Sequence, residues 1–437
     1  MPSALAGTPT LKPLEVWGGA EYTLNRVGDH YFDQAALSGH RGREQDLALF
    51  AELGIRSLRC GVLWDRYESE ASLQEMDGYL DCVRALGMRP IAGLLHHGSG
   101  PPGTSFLDPE FPEKLASYAG KVAARYPWMS AYTPVNEPNT TARFSCLYGL
   151  WYPHLQSTSG YLRALICQTK AVVLSMQAIR AVRSDAELIQ TEDLGRIWST
   201  APLASTAELM NQRRWLPFDL LCGTVDTLHP LFSYLRVNGI SEHEILWFRD
   251  HPCPPQVAGI NYYVTSDRFL DHRLEMYPDH CRSAEGNFAD VEAVRARAEG
   301  IQGYEAILME AASRYNVPVA ITEVHLGDRV EEQIRWSQGA WQAAQQVRKA
   351  GVACEAITFW ALLGSYYWDA LVTRANGHYE AGAFDIRSGS PQPSALAEFI
   401  RQCASGELPP RSGSQSQPGW WHMPGRLQYD AEAEAVA

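Results

Sequence analysis

The feature that most constrains this chain is a regular alternation of short apolar runs with longer amphipathic stretches. Runs at Leu14–Ala20, Ile55–Trp64, Met88–Leu95, Ala131–Glu137, Glu187–Asp193, Gln256–Tyr263, Val317–Glu323 and Cys354–Leu363 read as strands. Between and after them, helical spacing is predicted at Arg41–Leu53, Leu73–Leu86, Phe111–Arg125, Gly160–Arg183, Tyr304–Tyr315, Glu331–Ala350 and Ser394–Cys403. Gly87 serves as the stop of the second helix. Eight strands, each followed sooner or later by a helix, can close by right-handed parallel crossovers into a (β/α)8 TIM barrel. A chain of 437 residues is long for one domain, but barrels of this kind run long. The expected organisation is a leader at 1–13, one barrel at 14–405 and an irregular tail at 406–437 onto which Trp420-Trp421 can dock. The connections 193–256 and 264–303 are too long to be simple loops and are expected to form lids or binding walls.

Composition excludes several partners. With 46% hydrophobic and 20% charged residues there is material for a large core. A net charge of −13 with no basic cluster argues against nucleic acid and against anionic membrane surfaces. The nine cysteines are scattered and never spaced as CxxC, which reads as buried thiols in a cytoplasmic protein. No signal peptide and no bilayer-length apolar run is read from the sequence.

In such a barrel the chemistry sits at the C-terminal ends of the strands. The stretch Thr133-Pro-Val-Asn136-Glu137-Pro138 ends the fourth run in a carboxylate, and Val317-Pro-Val-Ala-Ile-Thr-Glu323 ends the seventh in another. Two strand-terminal carboxylates suit acid and nucleophile work on one glycosidic bond. His96-His97 is not read as a metal site, because no third ligand is spaced for it and neighbours on a strand face opposite ways. Gly98-Ser-Gly100-Pro-Pro-Gly103 has the form GxGxxG, but its prolines remove backbone donors and no helix opens on it, so it is not a nucleotide site. No cofactor or metal is expected. The sequon Asn139-Thr-Thr141 sits beside the expected acid and should be inaccessible.

These motifs resemble glycoside hydrolase family 1, the β-glucosidase family, in which Thr-x-Asn-Glu-Pro carries the acid/base and Ile/Val-Thr-Glu-Asn-Gly the nucleophile. The resemblance spans most of residues 14–400. Leu58-Arg59-Cys-Gly-Val-Leu-Trp64-Asp-Arg66 looks like the family strand whose Arg neighbours the nucleophile, so Arg59 is expected to favour ionised Glu323. Leu94-Leu-His96-His97 is similar to the sugar-binding Leu-x-His-Trp, and Gly259-Ile-Asn261-Tyr262-Tyr263 to the Asn-Tyr-Tyr motif, whose second Tyr contacts the nucleophile. Trp360-Ala-Leu-Leu-Gly-Ser-Tyr-Tyr367-Trp368 looks like Trp-Ser-Leu-Leu-Asp-Asn-Phe-Glu-Trp. The resemblance thus implies Glu137 and Glu323 as the catalytic pair, with Arg59, His96, Asn136, Asn261, Tyr263, Trp360, Tyr367 and Trp368 binding substrate.

The implied reaction is retaining hydrolysis of a β-glycoside by double displacement, which needs carboxyl groups about 5–5.5 Å apart. The alternatives are a transglycosidase using the same pair and a carbohydrate-binding barrel without turnover. Three departures bear on substrate: Tyr367 replaces the hydroxyl-gripping Glu of Phe-Glu-Trp, His97 replaces a Trp, and Val324-His325 replaces Asn-Gly. The family's sugar-binding Gln has no clear counterpart, Asn25 and Glu21 being nearest. These changes look closest to a divergent branch, the family-1-like half of bacterial dTDP-4-dehydrorhamnose reductase fusions.

Overall fold

The structure is a computed structural model that describes residues 12–406 and 417–429. Residues 1–11 of the expected leader, and 407–416 and 430–437 of the expected tail, lie outside the described residues.

Eight strands form a closed parallel barrel: β1 Glu15–Gly19, β2 Ser57–Gly61, β3 Arg89–Gly93, β4 Ala131–Thr133, β5 Glu187–Asp193, β6 Val257–Asn261, β7 Val319–Val324 and β8 Cys354–Phe359. Each strand pairs with its sequence neighbours, and β8 closes on β1 through Glu15 opposite Ala356. The (β/α)8 barrel expected from the alternation is the fold observed. Strands of a parallel barrel are covered on both faces, so their sequences are mostly apolar without strict alternation, and the polar residues they carry are buried. Trp17, Ile91, Ala131, Ile189, Val257 and Ala320 cluster from six of these strands.

Seven helices form the outer layer: α1 Gln45–Glu52, α2 Glu75–Ala85, α3 Phe111–Arg125, α4 Thr158–Val182, α5 Gly303–Tyr315, α6 Val330–Lys349 and α7 Ala395–Ser405. Their limits follow local chemistry. On α3, Phe111, Leu115, Tyr118 and Val122 make one buried stripe, each side chain contributing about 1.5–3 kcal/mol by leaving water. The Ser157 side chain caps α4 by accepting from Gly160 N. Gly87 lies just beyond α2 in the left-handed region (φ 73°). By length and composition α4 could cross a membrane, but it is largely buried and packs against α3.

The two long connections after β5 and β6 are built, not loose. Strand Arg268–Asp271 pairs in parallel with Ile197–Ser199 and antiparallel with Ala289–Glu292, giving a small sheet from both insertions. Helices at Ala204–Arg213, Leu216–Leu221, Phe232–Val237 and Glu242–Asp250 complete the first of them. In the described part of the tail, Trp421 stacks edge-on against Trp336 of α6 at 5.1 Å, and the Arg295 guanidinium lies 4.0 Å over Trp420.

Candidate active site

Residue Glu137 is set by a break in its strand. Regular pairing of β4 stops at Thr133, because Pro134 has no N–H to donate. The chain continues beside β3 through Leu95 N to Pro134 O (3.0 Å) and Asn136 N to Leu95 O (2.9 Å). Glu137 then turns left-handed (φ 45°) and Pro138 opens the short helix Pro138–Ala142. The expected strand end at Glu137 is therefore four residues past the last regularly paired one. Glu137 is that helix's N-cap by position, but its side chain makes no capping bond. It instead accepts from Asn261 Nδ2 at 2.6 Å.

Across the mouth, Glu323 lies one residue before the end of β7 and faces Asn261 in the pairing with β6. Its Oε1 accepts from Arg59 Nη1 at 2.7 Å, and its Oε2 accepts from the Tyr263 hydroxyl. Arg59 also donates to Thr322 O (2.8 Å) and, through Nη2, to Asn136 Oδ1 (2.7 Å). Asn261 ties Glu137 to Thr322, the residue before Glu323, since its Oδ1 accepts from Thr322 Oγ1 at 2.7 Å while its Nδ2 donates to Glu137.

Asn136 Oδ1 receives a second donor, Thr191 Oγ1, at 2.7 Å. This fixes the amide so that Nδ2 faces His96 Nε2 (3.3 Å) and His97 Nε2 (3.5 Å). The expectation that His96 and His97 face opposite ways is corrected by the structure. His97 takes a left-handed conformation (φ 61°), which breaks the strand alternation and brings the two rings to 5.0 Å. His97 Nδ1 meets Thr141 Oγ1 at 2.8 Å, and its Nε2 lies 3.8 Å from Glu137 Oε2. Trp360 stacks on His96 at 5.4 Å, and Arg59 lies 4.7 Å over the Trp360 ring. Gly19 makes room for that indole, since a Cβ there would sit 2.5 Å from the ring.

Trp368 reaches this group only through its ring, 5.9 Å from His97. Tyr367 lies against Phe32 and Tyr366, and among the described residues it makes no hydrogen bond to Glu137 or Glu323. Asn139, the Asn of the sequon, is buried and accepts from the Tyr161 hydroxyl. Of the two candidates near β1, Glu21 joins the site: it accepts from Trp360 Nε1 at 3.2 Å and lies 3.6 Å from His96 Nε2. Asn25 is turned away to Val372 O.

The electrostatics of the two carboxyls differ. Burial, then the neighbouring carboxyls of Glu323, Asp193 and Glu192, hold Glu137 well above the carboxylate range, with the Asn261 amide opposing. Burial and Glu21 also raise Glu323, but Arg59 and Tyr263 pull it back. Burial pushes His97 down to about 3 and holds His96 well below its ordinary value, so both rings are neutral near pH 7. Glu192, pushed up to about 8 by burial, and Asp193 are participants that sequence reasoning did not name. The signal was present as Gln190-Thr-Glu-Asp193, four polar residues closing a strand that is buried on both faces.

Fold and site together define the class: a (β/α)8 barrel holding two buried carboxyls in different settings, one just past strand four and one near the end of strand seven. No family model matches the chain. It is 25% identical over 356 residues to a 6-phospho-β-glucosidase of Dickeya chrysanthemi, a match covering 74% of this chain and 73% of that protein. In fold it is similar to the β-glucosidase of Thermotoga maritima in complex with cyclophellitol, with a TM-score of 0.70, 16% identity, and 85% and 88% of the two chains covered. The same enzyme bound to an N-octyl calystegine derivative gives a TM-score of 0.73 at 15% identity, with 92% and 100% covered.

Proposed function

We propose that this chain is a retaining β-glycosidase with Glu137 as acid/base and Glu323 as nucleophile. The observation that carries the reading is the unequal setting of the two carboxyls: Glu137 is pushed toward its protonated form, while Glu323 has a guanidinium and a phenol opposing its burial. With Oε1 accepting from Asn261, the proton of Glu137 resides on Oε2 and passes to the glycosidic oxygen as that C–O bond breaks. Glu323 attacks the anomeric carbon to form a glycosyl ester. Glu137, now a carboxylate, removes a proton from water, which attacks the same carbon and frees Glu323 with net retention.

The glycone would lie among Glu21, His96, Asn136, Trp360 and Trp368, and Arg59 and Tyr263 would orient the nucleophile. Tyr367, in place of a hydroxyl-gripping Glu, argues against ordinary glucosides and supports the divergent fusion-related branch. The name of the Dickeya relative makes 6-phosphorylated glucosides one class to test. The nine unpaired cysteines, seven of them buried, support a cytoplasmic setting.

The test is a panel of 2-fluoro β-glycosides, plain and 6-phosphorylated, read by intact mass and peptide mapping. One glycosyl adduct on the peptide carrying Glu323 is expected. An adduct elsewhere, or none with any sugar, overturns the proposal.

A further inference from the structure

Close to Glu137, with a wall that begins two residues on at Asn139, lies a small polar pocket of about 30 Å³. Its walls come from the segment after β4 (Asn139, Arg143, Tyr148), the end of β5 (Asp193) and the two insertions (Arg213, Arg268). Asp193 joins the pocket to the carboxyl pair, since it lies opposite Asn261 in the β5–β6 pairing and Asn261 holds Glu137.

The hydrogen-bonding capacity left over in this pocket is mostly donor. Arg213 is paired with Glu285, Arg268 with Asp290 at 2.8 Å, and Arg214 with Glu310 at 2.6 Å. Arg143 differs: Asp193 and Glu192 act on it through charge without a hydrogen bond to it among the described residues, its Nε has no partner, and Nη2 meets Thr140 Oγ1 at 3.3 Å. Asn139 spends its Oδ1 on Tyr161, and among the described residues neither its Nδ2 nor the Tyr148 hydroxyl makes a hydrogen bond. Arg143 opens a π-helical turn, Arg143–Leu147, closed by Tyr148 N to Arg143 O at 2.8 Å. Turns of this kind recur at functional sites.

We propose that the leaving group of the substrate carries an anion, a carboxylate or a phosphate, and that this pocket takes that anionic end, held by Arg143 with Asn139 and Tyr148. The inference rests on the glycosidase reading, because a glycosidic oxygen that takes its proton from Glu137 must have its aglycone on that residue's side. Guanidinium groups bind such anions through two parallel hydrogen bonds. A buried pair of this kind is worth about tenfold or more in discrimination.

The experiment compares β-glycosides of one sugar with para-carboxyphenyl, para-phosphonophenyl and para-carboxamidophenyl leaving groups. Wild type, Arg143→Gln and Arg143→Lys are measured, with kcat/KM taken as a ratio within each protein so that the folded fraction cancels. Separately, benzoate, phenyl phosphate and benzamide are titrated calorimetrically into the same proteins. Wild type should favour one or both anionic leaving groups over the amide by about tenfold or more, with Gln bringing the ratio near one and Lys retaining part of it. Cleavage without preference, or a preference that survives Arg143→Gln, overturns this proposal and leaves the glycosidase reading standing. Arg143-dependent binding of benzoate or phenyl phosphate with no glycoside cleaved keeps the anion site and overturns the glycosidase reading. Absence of both overturns both.

Discussion

Asn261→Ala isolates the one hydrogen bond that opposes the elevation of Glu137. In the wild-type site Asn261 Nδ2 donates to Glu137 Oε1 at 2.6 Å, and a donor at that distance favours the ionised carboxylate. Burial and the neighbouring carboxyls of Glu323, Asp193 and Glu192 are untouched by the change, so the carboxyl must move further up. A hydrogen bond to a charged group contributes about 1.5–3 kcal/mol, which corresponds to about one to two pKa units at 1.36 kcal/mol per unit. Water entering the vacated space would restore part of it, so about one unit is expected. In the proposed mechanism Glu137 acts first as an acid, so its ionisation would set the basic limb of kcat/KM, and that limb should move to higher pH by about one unit. The acid limb, set by Glu323, should hardly move, because Arg59 and Tyr263 remain in place. The assay is kcat/KM against pH with an activated aryl glycoside. A basic limb that stays put or moves down refutes Glu137 as the acid held by Asn261.

Other perturbations test other parts of the molecule. Glu137→Ala and Glu323→Ala should each abolish turnover of poor leaving groups, and on an activated aryl glycoside azide should raise activity with β-glycosyl azide from the first and α-glycosyl azide from the second, read by NMR. Full activity of Glu137→Ala on substrates with poor leaving groups would refute its role. Buried Asp65, pushed up from 3.8 to about 7 by desolvation, binds its proton more tightly folded than unfolded. Its contribution therefore turns unfavourable as pH rises from about 4 to about 7, by about 4 kcal/mol in the extreme. Asp65→Asn should lose less thermal stability than wild type between pH 5 and pH 8, and an equal or larger loss in melting curves would contradict this. Trp421→Ala should cost about 3 kcal/mol in urea unfolding, because Trp421 is buried against Trp336; a cost near zero would mean that this part of the tail is not docked.

The barrel was legible because its signal is distributed: eight apolar runs and seven amphipathic stretches each say the same thing, and an error of two residues at any boundary changes nothing. Strand Glu187–Asp193 and helix Phe111–Arg125 fall on the predicted limits because burial and periodicity end where the elements do. The site depends on departures from those same regularities. Glu137 and His97 reach each other because both adopt positive φ, which their residue types do not announce and which neighbouring strands impose. A strand drawn through either residue, as periodicity suggests, points its side chain by alternation and cannot bring two adjacent imidazoles to one amide. For the same reason the roles of Thr191 and Thr322 were hidden: a Thr in a buried strand ordinarily satisfies itself on the backbone, whereas here each hydroxyl fixes the orientation of an Asn amide. Those amides in turn decide which oxygen of Glu137 is free and which way Asn136 donates. The carboxyl pair and the proposed division of labour between its members could thus be read from the motifs, but which oxygen of Glu137 is left free by Asn261 follows from side-chain orientations that only the closed barrel determines.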